Sequence, residues 1–454
     1  MEKYLSRSID QALLEWKDNP RRKPLLVRGA RQVGKSSTIR HLGKNFKYFL
    51  EVNVERNPEV MEFFKGSRDV KSIAAKLSDF FNVPVVPGET LLFLDEIQKC
   101  EDVIHSLWFF KEDYPELHVI AAGSLLEFAL KNLSSFGVGR VSSLFVYPMS
   151  FDEFLTATRQ EGLLRIKRNS SPTNPLPEAF YNRLVEAFRS YMLVGGMPEA
   201  VATYTETGSY RYSSDIVNEI IQGYQDDFAK YGAKANPLLL RQTLISVAHQ
   251  AGAKFVCSRV EGQYRSAEVK VALEMLKDAG LIIPTYHTDA NGVPLGAEIN
   301  ERVVKYLIHD TGVLLGILGI DDDIDERIKE MMVADSIDLV DKGHVAEMMA
   351  GLELIKYSSP QTRHQLYYWQ NMNKGTCAEV DYVIARSGSI VPIEVKSGVK
   401  GSMSSMYSLM RNPQKHIEMG IRCSLENFGT FASPDGKKID IIPLYAISNL
   451  FVEK

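Results

Sequence analysis

Gly29-Ala30-Arg31-Gln32-Val33-Gly34-Lys35-Ser36 decides the reading of this 454-residue chain. These eight residues satisfy the pattern G-x-x-x-x-G-K-[ST] in full. Glycines at its two ends let the backbone curl until its N–H groups converge on phosphate oxygens. Just before it, Leu25 to Arg28 reads as a short apolar strand; just after it, Ser36 to Leu42 reads as the start of a helix. The helix start adds a positive dipole end to the same pocket. Lys35 is expected to reach the β- and γ-phosphates of ATP, and Ser36 to ligate Mg²⁺ through its hydroxyl. The expected nucleotide cradle is Gly29, Ala30, Arg31, Gln32, Val33, Gly34, Lys35, Ser36 and Ser37.

Outward from this loop, strand-like and helix-like segments alternate. Tyr48 to Val54, Thr90 to Leu94 and His118 to Ala122 read as strands, and Val103 to Tyr114 as a helix. Dense apolar runs of this kind suit the central strands of a parallel sheet, which predicts an open α/β fold. Leu91-Leu92-Phe93-Leu94-Asp95-Glu96 carries an acidic pair to the end of a strand. Asp95 is expected to hold Mg²⁺, usually through water, and Glu96 to orient and polarise an attacking water. Such a pair can also cap a helix, but the loop upstream favours the catalytic reading. Ser124, after the fourth strand, is a candidate sensor of the γ-phosphate or lytic water, or a helix N-cap. Arg140 is a candidate arginine finger, in cis or from a neighbouring copy, or a structural arginine.

Bulk properties bound the alternatives. The length predicts two to four domains. With 45% apolar and 24% charged residues, several hydrophobic cores are affordable. A net charge of -4 excludes a basic nucleic-acid coat, though not a local positive surface. Cys100, Cys257, Cys377 and Cys423 lie far apart, so neither a close-spaced metal motif nor a disulfide scaffold is expected. The N-terminus lacks the pattern of a secretory signal, and the apolar run Gly312 to Ile320 is too short to span a bilayer. The expected location is cytoplasmic, with no membrane partner.

The middle of the chain is helical, with helices over Phe180 to Met192 and Tyr212 to Phe228. In the latter, Asp226 and Lys230 are spaced for an i,i+4 pair. Glu268 to Ala279 reads as a helix stopped by Gly280, followed by strands Leu281 to Tyr286 and Val303 to His309. That succession suggests a winged helix, with Arg259, Arg265 and Lys270 near its recognition helix. Asp321 to Asp325 reads as a solvated acidic surface. Beyond it come a helix over 342–354, strands over 364–370, 379–385 and 390–396, a helix near 401–417, and strands near 419–424 and 439–445.

Together these stretches resemble an AAA-type ATPase family, AAA_14, found in bacterial and archaeal proteins that also carry a C-terminal domain of unknown function, DUF4143. The resemblance rests on VRGARQVGKSS at 27–37, LLFLDEIQ at 91–98, AAGSLL at 121–126, GR at 139–140 and YPMSFDEF at 147–154. It continues with GGMPEA at 195–200, YQDDFAKYG at 224–232 and EVDYVIARSGSIVPIEVKSG at 379–398. It covers nearly the whole chain. It implies a P-loop, AAA-like ATPase domain (1–160), a helical lid or connector (161–236), a winged-helix-like domain (237–335) and a C-terminal nuclease-like domain (336–454). Ser36 stands where relatives commonly have threonine, and the segment around Asp310 matches only loosely, which weakens any role for that residue.

The C-terminal spacing has a chemical reading of its own. Asp381 lies on one short strand and Glu394-Val395-Lys396 on the next. Period-two geometry puts Glu394 and Lys396 on one strand face, and Glu379 and Asp381 on another shared face. A turn through Ser387-Gly388-Ser389 makes the strands hairpin neighbours. This arrangement resembles the PD-(D/E)xK restriction-endonuclease-like core. There Asp381 and Glu394, with Glu347 as a further acid, would bind Mg²⁺ or Mn²⁺, and Lys396 would steady the hydroxide or phosphoryl oxygens. Two readings stand. In one, ATP hydrolysis is coupled to handling DNA or RNA, with phosphodiester cleavage at the C-terminal site. In the other, the chain is a nucleotide-gated signalling or scaffolding ATPase whose C-terminal domain only binds a partner. An in-trans role for Arg140 would require self-association.

Overall fold

The structure is a computed structural model that describes residues 4–132, 139–231, 236–319, 342–371, 378–396 and 401–451. The acidic stretch Asp321 to Asp325, Cys377, and the end of the 379–398 motif lie outside the described residues. The chain divides into two compact units. One comprises Met1–Pro148, Asp278–Leu281 and Ser359–Arg363; the other comprises Met149–Lys277, Ile282–Ser358 and His364–Lys454. Most of the three segments expected after residue 160 therefore falls within one compact unit.

In the first unit, helix α1 (Ile9–Asp18) leads to strand β1 (Leu25–Arg28) and helix α2 (Lys35–Gly43). There follow β2 (Tyr48–Asn53), α3 (Met61–Phe64), α4 (Val70–Phe81), β3 (Thr90–Asp95) and α5 (Glu101–Asp113). The unit continues with β4 (His118–Ala122), α6 (Leu126–Asn132) and β5 (Ser142–Phe145). The five strands form one parallel sheet in the order β2-β3-β4-β1-β5. Every residue of β3 and β4 is buried, which is why both read as unbroken apolar runs. Leu26, Leu50, Val52, Leu92, Leu94 and Val119 share a core with Ile73 and Leu77 of α4 and Ile104 and Leu107 of α5. In an open parallel sheet, ligands bind outside the carboxyl ends of the strands. Here the loop after β1 and the acidic pair ending β3 meet at that edge.

The second unit begins with helices α7 (Phe151–Ala157), α8 (Glu161–Asn169), α9 (Glu178–Val194), α10 (Pro198–Thr207), α11 (Tyr210–Asp227) and α12 (Pro237–His249). Helix α13 (Ser266–Asp278) ends at Gly280, whose φ of 76° suits glycine after a helix. The hairpin β6 (Ile282–Thr288) and β7 (Ile299–Ile308) follows, then α14 (Thr311–Ile317) and α15 (Lys342–Lys356). The expected strand pair is therefore present, but it is not a free wing. Strand β8 (Leu366–Gln370) adds in parallel to the open edge of β6, and β9 (Glu379–Val380) pairs with β8. The result is a sheet in the order β7-β6-β8-β9. An edge strand is a ready template for such pairing, and the partner comes from a segment that the sequence reading assigned to another domain.

A second sheet has the order β10-β11-β12-β14-β13. Its strands are β10 (Tyr382–Arg386), β11 (Ser389–Val395), β12 (Met419–Ser424), β13 (Gly429–Ala432) and β14 (Lys438–Pro443). β10 and β11 form the expected antiparallel hairpin. Ser387 and Gly388 at its tip have φ values of 49° and 76°, the twist-matched geometry of a tight hairpin turn. Helix α16 (Ser404–Arg411) connects β11 to the parallel strand β12. It is shorter than the expected 401–417, because Asn412 is held extended before Pro413.

Two motif residues prove to be structural. Asp310 accepts hydrogen bonds from Val313 N (3.2 Å), capping α14, and from Gly196 N (2.6 Å). Lys230 pairs with Asp227 at 2.8 Å rather than with Asp226. At Asp227 the α-helix gives way to a 3-10 turn, in which residues three apart eclipse; Asp226 instead accepts from Gln222 Nε2 at 3.0 Å.

Candidate nucleotide site and C-terminal carboxylate cluster

The loop after β1 can be built only with glycine at its first position. Gly29 has φ 147°, and a Cβ there would lie 2.1 Å from the Val146 carbonyl oxygen. Gly34, with φ 93°, turns the chain into α2. Gln32 also has a positive φ, 64°, a conformation that non-glycine residues adopt at a cost and that concentrates at functional sites. The loop is braced from outside its motif. Arg7 donates from Nη1 to Val33 O (2.9 Å) and from Nη2 to Tyr147 O (2.6 Å).

Lys35 is buried and folds back on its own loop, donating to Gly29 O at 2.9 Å and Ala30 O at 2.6 Å. Burial pushes its ammonium down to about 8, against the pull of Glu96 and Asp95. Ser36 donates from Oγ to Asp95 Oδ2 at 3.2 Å, and Asn53 Nδ2 reaches the same oxygen at 3.5 Å. Burial raises the Asp95 carboxyl, and neighbouring Glu96 adds to the rise; the Ser36 hydroxyl works against it. A hydroxyl and a carboxylate side by side, with β3 supplying one and α2 the other, fit the oxygen preference of Mg²⁺.

Glu96 sits one residue past β3 with φ 54°. Its Oε2 accepts from Gln98 Nε2 (2.5 Å), Ser124 Oγ (3.1 Å) and Ser124 N (3.4 Å). Ser124 is thus joined to the acidic pair. Gly123 leaves the room for this: a Cβ there would come 2.0 Å from Gln98 Oε1. Arg140 is placed elsewhere. Its Nε pairs with Glu112 at 2.8 Å, and its guanidinium lies 4.0 Å over the Trp108 ring. It precedes β5, whose first residue pairs with Leu25 at the start of β1. The loop after β1 leaves the other end of that strand, roughly 13 Å away. The cis alternative for Arg140 is therefore not met.

The C-terminal cluster gathers more charge. Asp381, between β9 and β10, accepts at Oδ2 from Val395 N at 2.7 Å. Glu394 on β11 is only 4% exposed; its Oε1 accepts from Lys396 Nζ at 2.7 Å, while Oε2 is buried with no hydrogen-bond partner among the described residues. Burial, and then the charge of Asp381, raises the Glu394 carboxyl. Lys305 of β7 enters from another part of the chain. It is 1% exposed, donates to Glu347 Oε1 at 2.8 Å and Glu379 Oε1 at 2.5 Å, and lies 5.0 Å from the Tyr368 ring centre. Burial alone would lower Lys305; Glu347 and Glu379 outweigh it and hold the group above the usual lysine value.

Glu347, expected as a further acid beside Asp381 and Glu394, has a lysine partner in the structure. One oxygen of Glu347 is already committed to Lys305. Among the described residues, no three His, Cys, Asp or Glu side chains converge as a metal-ligating group. Asp381 and Glu394 alone, with the orphaned Glu394 oxygen, retain the chemistry for a single hard cation.

The sequence reading missed Arg7, Asn53, Gln98 and Lys305. Lys305 carried a signal: it interrupts the apolar strand Val303 to Ile308, and a charge within a buried strand needs a partner. The other three carried none, since each acts through a backbone or amide contact that has no fixed spacing.

Residues 21–155 match the model of an AAA domain, AAA_14; residues 342–447 match a domain of unknown function, DUF4143. Residues 185–324 match another domain of unknown function, DUF8612. An AAA-type P-loop domain and a DUF4143 domain are thus present. No curated protein matches the chain. A solved structure of the Aeropyrum pernix Orc1 protein in complex with DNA is similar at 13% identity, over 71% of this chain and 94% of that one, with a TM-score of 0.30. That likeness is too low to bear on fold or activity. Among the described residues, no helix is long and apolar enough to cross a membrane.

Proposed function

We propose that the chain binds and hydrolyses Mg²⁺-ATP at the loop after β1. The observation that carries this reading is the meeting of Lys35, Ser36, Asp95, Glu96 and Ser124 at one edge of the parallel sheet. The phosphates of ATP would take the bonds that Lys35 makes to Gly29 and Ala30. Ser36 and Asp95 would hold Mg²⁺, which when bound neutralises charge on the phosphates. Glu96 would orient and polarise the attacking water. Ser124 would report the γ-phosphate to it, being bonded to the same carboxylate. Arg140 would contribute only from a second copy. The test is ATP turnover with Mg²⁺. Lys35→Ala should abolish nucleotide binding, while Glu96→Gln should bind ATP without turning it over. Equal turnover by wild type and Glu96→Gln would sink the mechanism.

Hydrolysis would serve nucleic-acid handling through the second unit. The exposed Arg259, Arg265 and Lys270 around α13, interleaved with the exposed Glu261 and Glu268, would contact the phosphates of DNA or RNA. Asp381, Glu394 and Lys396 would be the site of phosphodiester cleavage. The commitment of Glu347 to Lys305 favours a second reading, in which this domain binds a partner without cleaving it. Labelled single- and double-stranded DNA and RNA, incubated with Mg²⁺ or Mn²⁺, separate the two. Cleavage lost in Asp381→Ala supports the nuclease; absence of cleavage by an ATP-hydrolysing wild type supports the binding module.

A further inference from the structure

Four carboxylates, on Glu347, Glu379, Asp381 and Glu394, face two ammonium groups, on Lys305 and Lys396. The lysines do not divide them evenly. Lys305 spans Glu347 and Glu379, whereas among the described residues Lys396 bonds Glu394. Each lysine thus leaves one carboxylate charge over, and among the described residues it is Glu394 whose buried Oε2 has no partner. Over the whole cluster the four carboxylates exceed the two ammonium groups by two charges, the charge of one divalent cation and not of two.

Lys305 has the features of a permanent occupant. It is buried to 1%, its two ion pairs come from different elements (α15 and β9), and the Tyr368 ring lies 5.0 Å from its nitrogen. Removing it would leave Glu347 and Glu379 beside Asp381 with no cation, an arrangement that only protons or a metal can relieve.

We propose that Lys305 is a resident cation that withdraws Glu347 and Glu379 from metal ligation, and so limits the C-terminal cluster to one divalent ion at Asp381 and Glu394. The single-ion part rests on the reading of Asp381 and Glu394 as a metal pair; the withdrawal of Glu347 and Glu379 does not. Lys305 is a specificity-determining residue here, acting by occupying ligands rather than by touching a substrate.

The experiment is uptake of Mn²⁺ alone by the full-length chain, read from the loss of the free-ion paramagnetic resonance signal. Every protein carries Asp95→Asn, so that the nucleotide site does not contribute. The parent should take up one ion, and Lys305→Met a second ion, or the first at least tenfold more tightly. Glu347→Gln should leave uptake within twofold of the parent, while Glu394→Gln should weaken it more than tenfold. If Lys305→Met does not fold, Lys305→Met/Glu379→Gln removes one charge of each sign and leaves Glu347 free to ligate. A parent that binds no Mn²⁺ beside a lysine variant that gains a site would end the metal-pair reading and uphold the withdrawal. Unchanged uptake in all folded Lys305 variants, or strong loss in Glu347→Gln, would overturn the proposal.

Discussion

The proposed nucleotide site and the C-terminal cluster both place carboxylates in buried surroundings, and they settle the charge differently. At the first, Asp95 and Glu96 are held by neutral donors: the Ser36 hydroxyl, the Asn53 and Gln98 amides, and the Ser124 hydroxyl and backbone. The lysine of that site is bonded to carbonyls. At the second, carboxylates are held chiefly by ammonium groups. Neutral donors orient a carboxylate and leave its charge available for incoming ligands. An ammonium group consumes that charge. The carboxylates at the first site thus keep their charge, whereas those at the second share it with lysines.

The largest expected effect that sharpens the contrast is in turnover. Glu96→Gln should lower ATP hydrolysis on the order of 10²–10⁴-fold with nucleotide binding retained, whereas Asp381→Asn should leave turnover within about twofold, since among the described residues the two carboxylates share no hydrogen-bond partner. Steady-state kinetics beside a fluorescent-nucleotide binding assay reads both. Equal losses would erase the distinction.

Next is the backbone of the phosphate loop. Gly29→Ala cannot keep the present loop, because its Cβ would sit 2.1 Å from Val146 O. Nucleotide binding should be lost, with a stability cost of about 1–3 kcal/mol, seen as a lower Tm that ATP no longer raises. An ATP-dependent rise in Tm in this variant would show that the loop has another usable conformation.

A smaller effect concerns protons. The Lys35 ammonium is lowered to about 8 in the free protein, and bound phosphate would raise it. Below pH 8 the free protein already carries the proton. Above it, binding must take one up, so ATP affinity should fall by up to about tenfold per pH unit. Calorimetry at pH 9 in two buffers of different ionisation heat checks the uptake; a pH-independent affinity would count against a charged Lys35 in the complex.

The smallest effect is in stability. Burial raises the Asp381 carboxyl, against the pull of the Val395 N–H, Lys305 and Lys396. An amide there can still accept from Val395 N, so Asp381→Asn should raise Tm by about 2 °C. A clear fall would mean that the cluster holds the fold together rather than storing charge.

Much of this was legible in advance, and particular residues show where legibility ended. The strands around the phosphate loop were read closely, because buried parallel strands are continuous apolar runs and Gly29 to Ser36 is a contiguous motif. The hairpin at Ser387-Gly388 was read because turn chemistry is local. The extension of the β6–β7 pair into a larger sheet was not legible, because pairing of β6 with β8 joins residues about eighty positions apart, and nothing in either segment names the other. Arg140 failed in cis for the same reason: the strand order set the end of the sheet at which it lies.

By itself the sequence determined what depends on neighbours along the chain: the glycine-shaped loop, the acidic pair at a strand end, the alternation that brings Glu394 and Lys396 onto one face. These follow from backbone geometry within a few residues. Only the tertiary structure decided which charges meet. Lys305 reaches Glu347 and Glu379 because β7, α15 and β9 pack together, and Ser124 reaches Glu96 because β4 lies beside β3. A buried charge must find a partner wherever the fold supplies one, and that choice is made across the fold, not along the chain.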